Sequence, residues 1–520
     1  MNQPTDVSGL GRSVVFRPDE TLLRSLTEEM PTASETVYGN LNVHSKVGAR
    51  QRSSTFIVTD QPERYSDKTM PRAEGRRLAA LQDDYIKSRD LIVVDGFLGN
   101  VPPYRMAARL IVERVNANIA AMQRLLYFDP ISDDRHLDPE LTVICTPGLE
   151  VQGYRNNRVI AASLEEGVTR IINSDYFDEA KKAGLRMWGS RVYDAGGLVL
   201  HSGCKVVPST RGLKSVLVMG LPDSGKSTIT FTQHNGSRVV QDDFVALFDK
   251  GQIVSPQDGC IEKTYGLDSK LQPEIYAAVT KPDAYLENVM QRGNLPDFSM
   301  ETDRRAGRAV FNFRSINSFP VNDVPPLTTL LFLMRGDGVL PAVARLRRRD
   351  AVKHFLLREL RGWTARDAHG EGSLPGPRAD QSLIGIAQRG ERLAQLLSGL
   401  DLECFLVNTG SVGGPPSDPR SKRIPFSCSL GLVQALVDGT VEWDGANELG
   451  LDVAAGAPQV DDVELLQPRR LYESQGRMAE YRDRVERIRI EWRANIGAVP
   501  PIGMLSEVLS PPRAGGRSGP

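Results

Sequence analysis

Aromatic residues make up only 6% of this 520-residue chain, and its five cysteines are odd in number, widely spread and free of any Cys-x-x-Cys pair. That pattern excludes a disulfide scaffold and the usual cysteine metal knuckle. Cys145, Cys204, Cys260, Cys404 and Cys428 read as reduced, buried small hydrophobes. Charge of one sign is missing too: 64 basic residues against 65 acidic leave a net charge of −1. No global field therefore draws the chain to nucleic acid or to an anionic membrane, and small-molecule partners are favoured. No apolar run approaches the ~20 residues of a membrane helix, and the stretch from Met1 to Arg12 is polar. A cytoplasmic protein is expected, with a monomer favoured. Internal repeats are absent.

With 40% hydrophobic and 25% charged residues, the chain is long enough to bury two ordinary cores. The first ~40 residues are poorly patterned. From Ser54 onward short β-like runs alternate with helical stretches, which is an α/β pattern. Strands are expected at Thr55 to Val58, Leu91 to Val94, Leu141 to Ile144, Arg158 to Ala162, Thr169 to Ile172, Leu198 to Leu200, Arg238 to Val240, Thr328 to Leu333 and Glu403 to Val407. The spacing of Leu110, Ile111, Val115, Ile119, Met122 and Leu126 predicts one amphipathic helix from about Arg105 to Leu126. Further helices are expected around Leu340 to Arg348, Leu383 to Leu397 and Tyr472 to Ala494, a surface loop at Gly413 to Lys422, and a disordered tail from Pro511.

Residues 220 to 228 read Gly-Leu-Pro-Asp-Ser-Gly-Lys-Ser-Thr, after the apolar run Val216 to Met219 and ahead of Ile229. A triphosphate must leave water among many close donors and little side-chain bulk. Gly220 and Gly225 let backbone N–H groups turn inward at a helix start, Lys226 can reach the outer phosphates, and Ser227 can hold a phosphate-bound Mg²⁺. The partner carboxylate should end a later strand. Val239-Val240-Gln241-Asp242-Asp243 supplies it, although a lone Asp-Asp pair is more often a solvated turn.

Taken together with other motifs, the chain from about residue 48 to 496 resembles the ATP-dependent phosphoenolpyruvate carboxykinases. The further matches are Val94-Asp95-Gly96-Phe97-Leu98-Gly99 followed by Tyr104-Arg105; Tyr176-Phe177-Asp178-Glu179-Ala180-Lys181-Lys182; His201-Ser202; and Asp258-Gly259-Cys260. Pro273-Glu274-Ile275-Tyr276, Leu286-Glu287-Asn288-Val289, Gly338-Val339-Leu340-Pro341 and Val407-Asn408-Thr409-Gly410 continue the series. The resemblance implies a two-domain α/β fold: an N-terminal substrate domain over 1–196, a C-terminal phosphate-loop domain over 197–510, and the active site in the cleft between them. It also implies conversion of oxaloacetate and ATP into phosphoenolpyruvate, ADP and CO₂.

Loss of CO₂ from a β-keto acid leaves electrons on the carbonyl as an enolate, which cations in a dry cleft stabilise best. By resemblance, Mn²⁺ is bound by Lys182, His201 and Asp243, and Mg²⁺ with the nucleotide by Ser227. A lysine binds a metal only as the free amine; Lys181 then stays a cation for the enolate or the transferring phosphate. Arg50 and Arg304 fall where the family clamps carboxylate or phosphate, Tyr176 where it packs against substrate, and Lys226 on the β- and γ-phosphates. Nucleotide contacts fall on Gly220, Leu221, Asp223, Ser224, Gly225, Lys226, Ser227 and Thr228, with Arg304, Arg423 and Ser429 beyond the loop. Plainer readings stand beside these. Lys181-Lys182 could be a solvated helix face, His201 a satisfied core histidine, Arg304 one place out of register in an arginine-rich patch, and Arg52 the functional residue in place of Arg50.

The chain departs from the family where Pro222 and Asp223 replace small residues. A carboxylate ~4–5 Å from a phosphate costs on the order of 3–4 kcal/mol at an effective dielectric of about 20, and Pro222 removes one backbone donor. Asn173-Ser174 stands in place of a glycine pair, Ser429-Leu430 in place of Thr-Arg, and Ser202-Gly203-Cys204-Lys205 in place of the family's small polar run. Three readings stay open: an active carboxykinase, a relative that phosphorylates another small acid or a protein hydroxyl, and a non-catalytic nucleotide-binding relative.

Overall fold

The computed structural model describes residues 7, 9–48, 52–65, 68–130, 138–221, 224–300, 307–364 and 385–509. Arg50, Pro222, Asp223, Arg304 and the tail from 511 lie outside them. Among the described residues, two eight-stranded sheets dominate a mixed α/β fold. The first runs, in spatial order, Ser13–Phe16, Asp90–Leu98, Met106–Glu113, Leu141–Thr146, Val168–Ile172, Val159–Ser163, Thr55–Val58 and Thr69–Met70. The second runs Arg238–Gln241, Ser202–Ser209, Gly212–Gly220, Leu327–Met334, Glu403–Asn408, Val343–Leu346, Asp452–Gly456 and Glu442–Ala446.

At the centre of the second sheet, Gly212–Gly220 pairs in parallel with Leu327–Met334, which pairs in parallel with Glu403–Asn408. Val216 to Met219 are all fully buried, as a parallel strand covered on both faces requires. The hairpin partner Ser202–Ser209 lies antiparallel on the other side, with Ser202 opposite Met219. This register carries the residue before it, His201, to the same end of the sheet as the loop after Gly220.

Three expectations are corrected. The run from Arg105 to Leu126 is not one helix: Met106–Glu113 is a strand buried along its whole length, and the helix begins only at Ala117. Leu110, Ile111 and Val112 are adjacent apolar residues, so a strand buried on both faces satisfies them as well as helical spacing does. Around Leu340 to Arg348 the chain forms the strand Val343–Leu346 on Glu403–Asn408, and the helix starts at Arg348. The expected helix from Tyr472 to Ala494 is two helices, Pro468–Ser474 and Met478–Gly497, broken by Gly476 at φ +67°, a backbone conformation only glycine adopts freely.

The poorly patterned start forms regular elements from Ser13 onward. Helix Glu20–Glu28 is capped by Asp19, which accepts from the Leu22 amide at 2.8 Å, and it buries Leu23 and Leu26. Ala33–Glu35 and Leu41–Val43 then extend a five-stranded sheet otherwise made of Tyr285–Glu287, Arg308–Asn312 and Gly259–Lys263. No helix among the described residues is long and apolar enough to cross a membrane.

Gly259 is where this five-stranded sheet meets helix Ala117–Leu126. A Cβ there would lie 2.4 Å from the Phe311 carbonyl oxygen and 3.0 Å from that of Leu125. Both are backbone atoms that cannot swing away, so Gly259→Ala is expected to destabilise the protein by about 3 kcal/mol. Urea unfolding should show a lower midpoint at an unchanged slope.

Candidate active site

The chain turns sharply after Gly220. A Cβ at Gly220 would meet Ser224 Oγ at 2.2 Å, and Ser224 Oγ donates back to the Leu221 carbonyl at 2.7 Å. Gly225, at φ +86°, opens helix Lys226–Phe231, so the first helical amides face the loop. Thr409 Oγ1 donates to the Ser224 carbonyl at 2.9 Å and ties the loop to the neighbouring strand end. Thr228 Oγ1 accepts from Gln272 Nε2 at 3.2 Å. Behind the helix, buried Lys205 donates to the carbonyls of Ile229 and Thr232 at 2.8 and 2.7 Å.

Strand Arg238–Gln241 delivers two adjacent carboxylates that face different partners. Asp242 accepts from Lys226 Nζ at 2.8 Å and from Ser227 Oγ at 2.6 Å. Asp243 accepts from Lys181 Nζ at 2.7 Å through Oδ2, and lies 3.2 Å from His201 Nε2 through Oδ1. The split depends on a kink: Asp243 sits at φ +83°, a conformation that a residue with a Cβ rarely adopts and that clusters at functional sites.

Lys181 is carried by helix Phe177–Asp194, which packs on the first sheet, whereas His201 and Asp243 flank strands of the second sheet. His201 stacks on Phe244 with ring centroids 4.9 Å apart. Burial pushes its imidazole below the ordinary value despite the Asp243 hydrogen bond. Burial would raise the Asp243 carboxyl, but Lys181 and His201 outweigh it and hold that group well below the usual range. Burial, and next the neighbouring Asp242, push the Glu262 carboxyl well above the usual range.

The structure thus brings together Lys181, His201 and Asp243, and beside them Lys226, Ser227 and Asp242. It does not bring Lys182 to His201 and Asp243. Lys182 Nζ lies 2.6 Å from Asp178 Oδ2, one helical turn back, because consecutive residues on a helix point about 100° apart and only one of the two lysines can face Asp243. Ser227 is engaged by Asp242 and not by the His201–Asp243 pair. Tyr176 is 3% exposed, its hydroxyl pushed up chiefly by burial and next by Asp178, with Arg308 opposing. Asp175 anchors the segment leading to Arg50 by accepting from the amides of Lys46 and Val47 at 2.7 and 3.0 Å. Arg423 is exposed on the short strand Lys422–Arg423, and Ser429 is buried in the first turn of helix Phe426–Asp438. Arg50, Asp223 and Arg304 lie outside the described residues.

Among the described residues no group of three or more His, Cys, Asp or Glu is set to hold a metal. The donors that meet there are one imidazole and one carboxylate, which suit a divalent ion of intermediate softness, with Lys181 as the ion-pair partner of that carboxylate. Sequence reasoning missed Asp242 as the partner of Lys226 and Ser227, Glu262 as its buried acidic neighbour, and Arg308 beside Tyr176. Asp242 was half-visible as one of a pair, and Arg308 as one arginine in a cluster; nothing marked Glu262.

A profile of the phosphoenolpyruvate carboxykinase family matches residues 14–463. The chain is 28% identical over 427 residues to "Phosphoenolpyruvate carboxykinase (ATP) 2" of Moorella thermoacetica, covering 76% of each. It is 28% identical over 458 residues to the phosphoenolpyruvate carboxykinase (ATP) of Novosphingobium aromaticivorans, covering 81% of each. The carboxykinase (ATP) of Caldanaerobacter subterraneus subsp. tengcongensis is 26% identical over 464 residues, 83% of this chain and 85% of the relative. The chain belongs to the ATP-dependent phosphoenolpyruvate carboxykinase family of enzymes, as a divergent member.

Glu287, fully buried beneath this site, accepts from the Phe177 amide at 3.0 Å through Oε1, while Oε2 is buried without a hydrogen-bond partner. Burial pushes its carboxyl up to about 8 from an ordinary 4.5. As pH rises, the unfolded chain gives up this proton first and the folded protein keeps it, so this group erodes stability between pH 4.5 and about 8. Glu287→Gln removes that loss. Urea unfolding across this window should show the variant gaining on wild type by up to about 1.4 kcal/mol per pH unit.

Proposed function

We propose that the protein converts oxaloacetate and ATP into phosphoenolpyruvate, ADP and CO₂, in a cleft between the part of the chain carrying Lys181 and the part carrying the 220–228 loop. One observation carries the reading. Two consecutive carboxylates join the two halves of such a site, Asp242 holding Lys226 and Ser227 of the loop and Asp243 meeting Lys181 and His201.

The reaction breaks the C3–C4 bond of the β-keto acid with release of CO₂, sends that electron pair toward the carbonyl oxygen, and forms an O–P bond from that oxygen to the γ-phosphorus while the bond from that phosphorus to the β,γ-bridging oxygen breaks and ADP leaves. Lys226 and Ser227 are already placed at the loop by Asp242; a triphosphate exchanges that carboxylate for its own oxygens, so little side-chain ordering is left for the moment of binding. Lys181 presents its ammonium at the Asp243 side, where negative charge develops on the enolate. Tyr176, buried at the start of the helix that carries Lys181, packs against the substrate. Arg50 and Arg304 clamp carboxylate and phosphate, as the family resemblance implies. By the family resemblance Lys182, His201 and Asp243 would hold a Mn²⁺ and Ser227 a nucleotide-bound Mg²⁺, and these ions would supply Lewis-acid stabilisation of the enolate oxygen and the transferring phosphate. Such an enzyme works in the cytoplasm on small molecules.

Purified protein with Mn²⁺, ATP and oxaloacetate should release phosphoenolpyruvate. Lys226→Ala and His201→Ala should each lower kcat/KM by at least about 100-fold while the far-ultraviolet circular dichroism stays unchanged. Absence of product from the wild type above the Lys226→Ala background would reject the activity.

A further inference from the structure

Lysine is rarely buried in full, yet Lys205 on strand Ser202–Ser209 is only 1% exposed. Alternate residues of that strand lie under the phosphate-loop helix. A Cβ at Gly203 would stand 2.1 Å from Thr230 Oγ1 and 2.7 Å from Asp242 Oδ1, so strand and helix meet there with no side chain between them. Two residues on, Lys205 reaches the far end of the same helix, where Nζ donates to the carbonyls of Ile229 at 2.8 Å and Thr232 at 2.7 Å. The amide that would continue the helical ladder to Ile229 is that of Gln233, and it goes instead to Glu274 Oε1 at 3.1 Å. Lys205 stands in for that amide.

Helix Lys226–Phe231 has six residues, too few to hold its own shape, so its geometry depends on what it is tied to. Ile229 is less than one turn from Lys226, Ser227 and Thr228. Burial pushes the Lys205 amine down to about 7, with Glu274 opposing, so the ammonium is present below neutral pH and lost above it. Other charged or titratable groups on the elements packed around the strand are Lys214, Lys226, His234, Arg238, Cys428 and Asp438. Lys226 is engaged by Asp242, Arg238 lies over the Phe319 ring, and Asp438 accepts from Gln434 and the Thr210 amide. Burial pushes the Cys428 thiol up to about 11. His234 is therefore the group whose titration the experiment has to separate from that of Lys205.

We propose that Lys205 is a positioning residue for nucleotide binding: its ammonium holds the last turn of helix Lys226–Phe231 and so fixes Lys226, Ser227 and Thr228 against the triphosphate. The proposal rests on the ATP-dependent reading above. An ammonium serves better than the free amine, because charge-assisted hydrogen bonds are about twice as strong as neutral ones and a buried cation near the loop favours an anion there.

Calorimetric titration of the whole protein with Mg·ATP at pH 6 and pH 8.5 tests this. The wild-type Kd should rise on the order of tenfold between the two, as the ammonium is lost. Lys205→Met, similar in length and uncharged, should bind at pH 6 about as weakly as the wild type does at pH 8.5, with its Kd changing by about twofold or less across the range. Lys205→Gln, which keeps N–H donors without the charge, should lose the pH dependence in the same way and serves if the methionine variant does not fold. His234→Gln should keep the wild-type pH dependence; its loss there overturns the proposal. A Lys205 variant that unfolds at lower urea yet keeps the wild-type Kd and pH dependence shows a purely structural lysine and overturns it too. So does a wild-type Kd that is the same at both pH values. A wild type that binds no nucleotide at either pH overturns this proposal and the ATP-dependent reading together. ATP binding without phosphoenolpyruvate formation overturns only the activity and leaves the lysine test standing.

Discussion

Everything at this site depends on two neighbouring carboxylates kept apart in direction. Asp242 and Asp243 are consecutive, yet the left-handed backbone at Asp243 sends one toward the loop and the other toward Lys181 and His201. Two like charges this close stay ionised only if each has its own cation. Lys226 answers the first and Lys181 the second, while burial and the nearby Asp242 push the Glu262 carboxyl well above the usual range. The two lysines are the counter-charges of the pair, and Ser227 and His201 hydrogen-bond to it.

Much of this was legible in the sequence because the loop and the two-aspartate strand end have steric and electrostatic reasons that do not depend on context. Gly220 and Gly225 sit where a side chain would collide or strain the turn, and Val216 to Met219 form the buried strand their composition predicts. The misreadings share one cause: local pattern was consistent with two structures and a distant partner chose between them. Met106–Glu113 is a strand because Asp90–Leu98 and Leu141–Thr146 flank it. Lys181 and Lys182 are interchangeable on paper, and only the phase of their helix against Asp243 and Asp178 tells them apart. Glu262 could not be read at all, since its behaviour comes from a burial and a neighbour that the sequence does not display.

The departures from the family pattern gain a physical setting. Pro222 and Asp223 change the make-up of the loop's head, and Arg358 lines a small cavity with Leu221, the residue before them in sequence. A site that has changed the sign of one contributor keeps its potential only if another changes in the opposite sense. Charge balance, more than residue identity, is then the property by which divergent members of this family should be compared.

The hairpin of Ala33–Glu35 and Leu41–Val43 has a consequence for how the chain is made. Leu41 pairs with Tyr285, so the strand leaves the ribosome long before its partner is synthesised. Until then its hydrogen-bonding edge has nothing to dock on, and a nascent chain paused before residue 285 carries an open strand that invites association with other chains. Ser13–Phe16 finds its partner Asp90–Val93 early, whereas Leu41–Val43 is locked in place only after residue 285 has emerged.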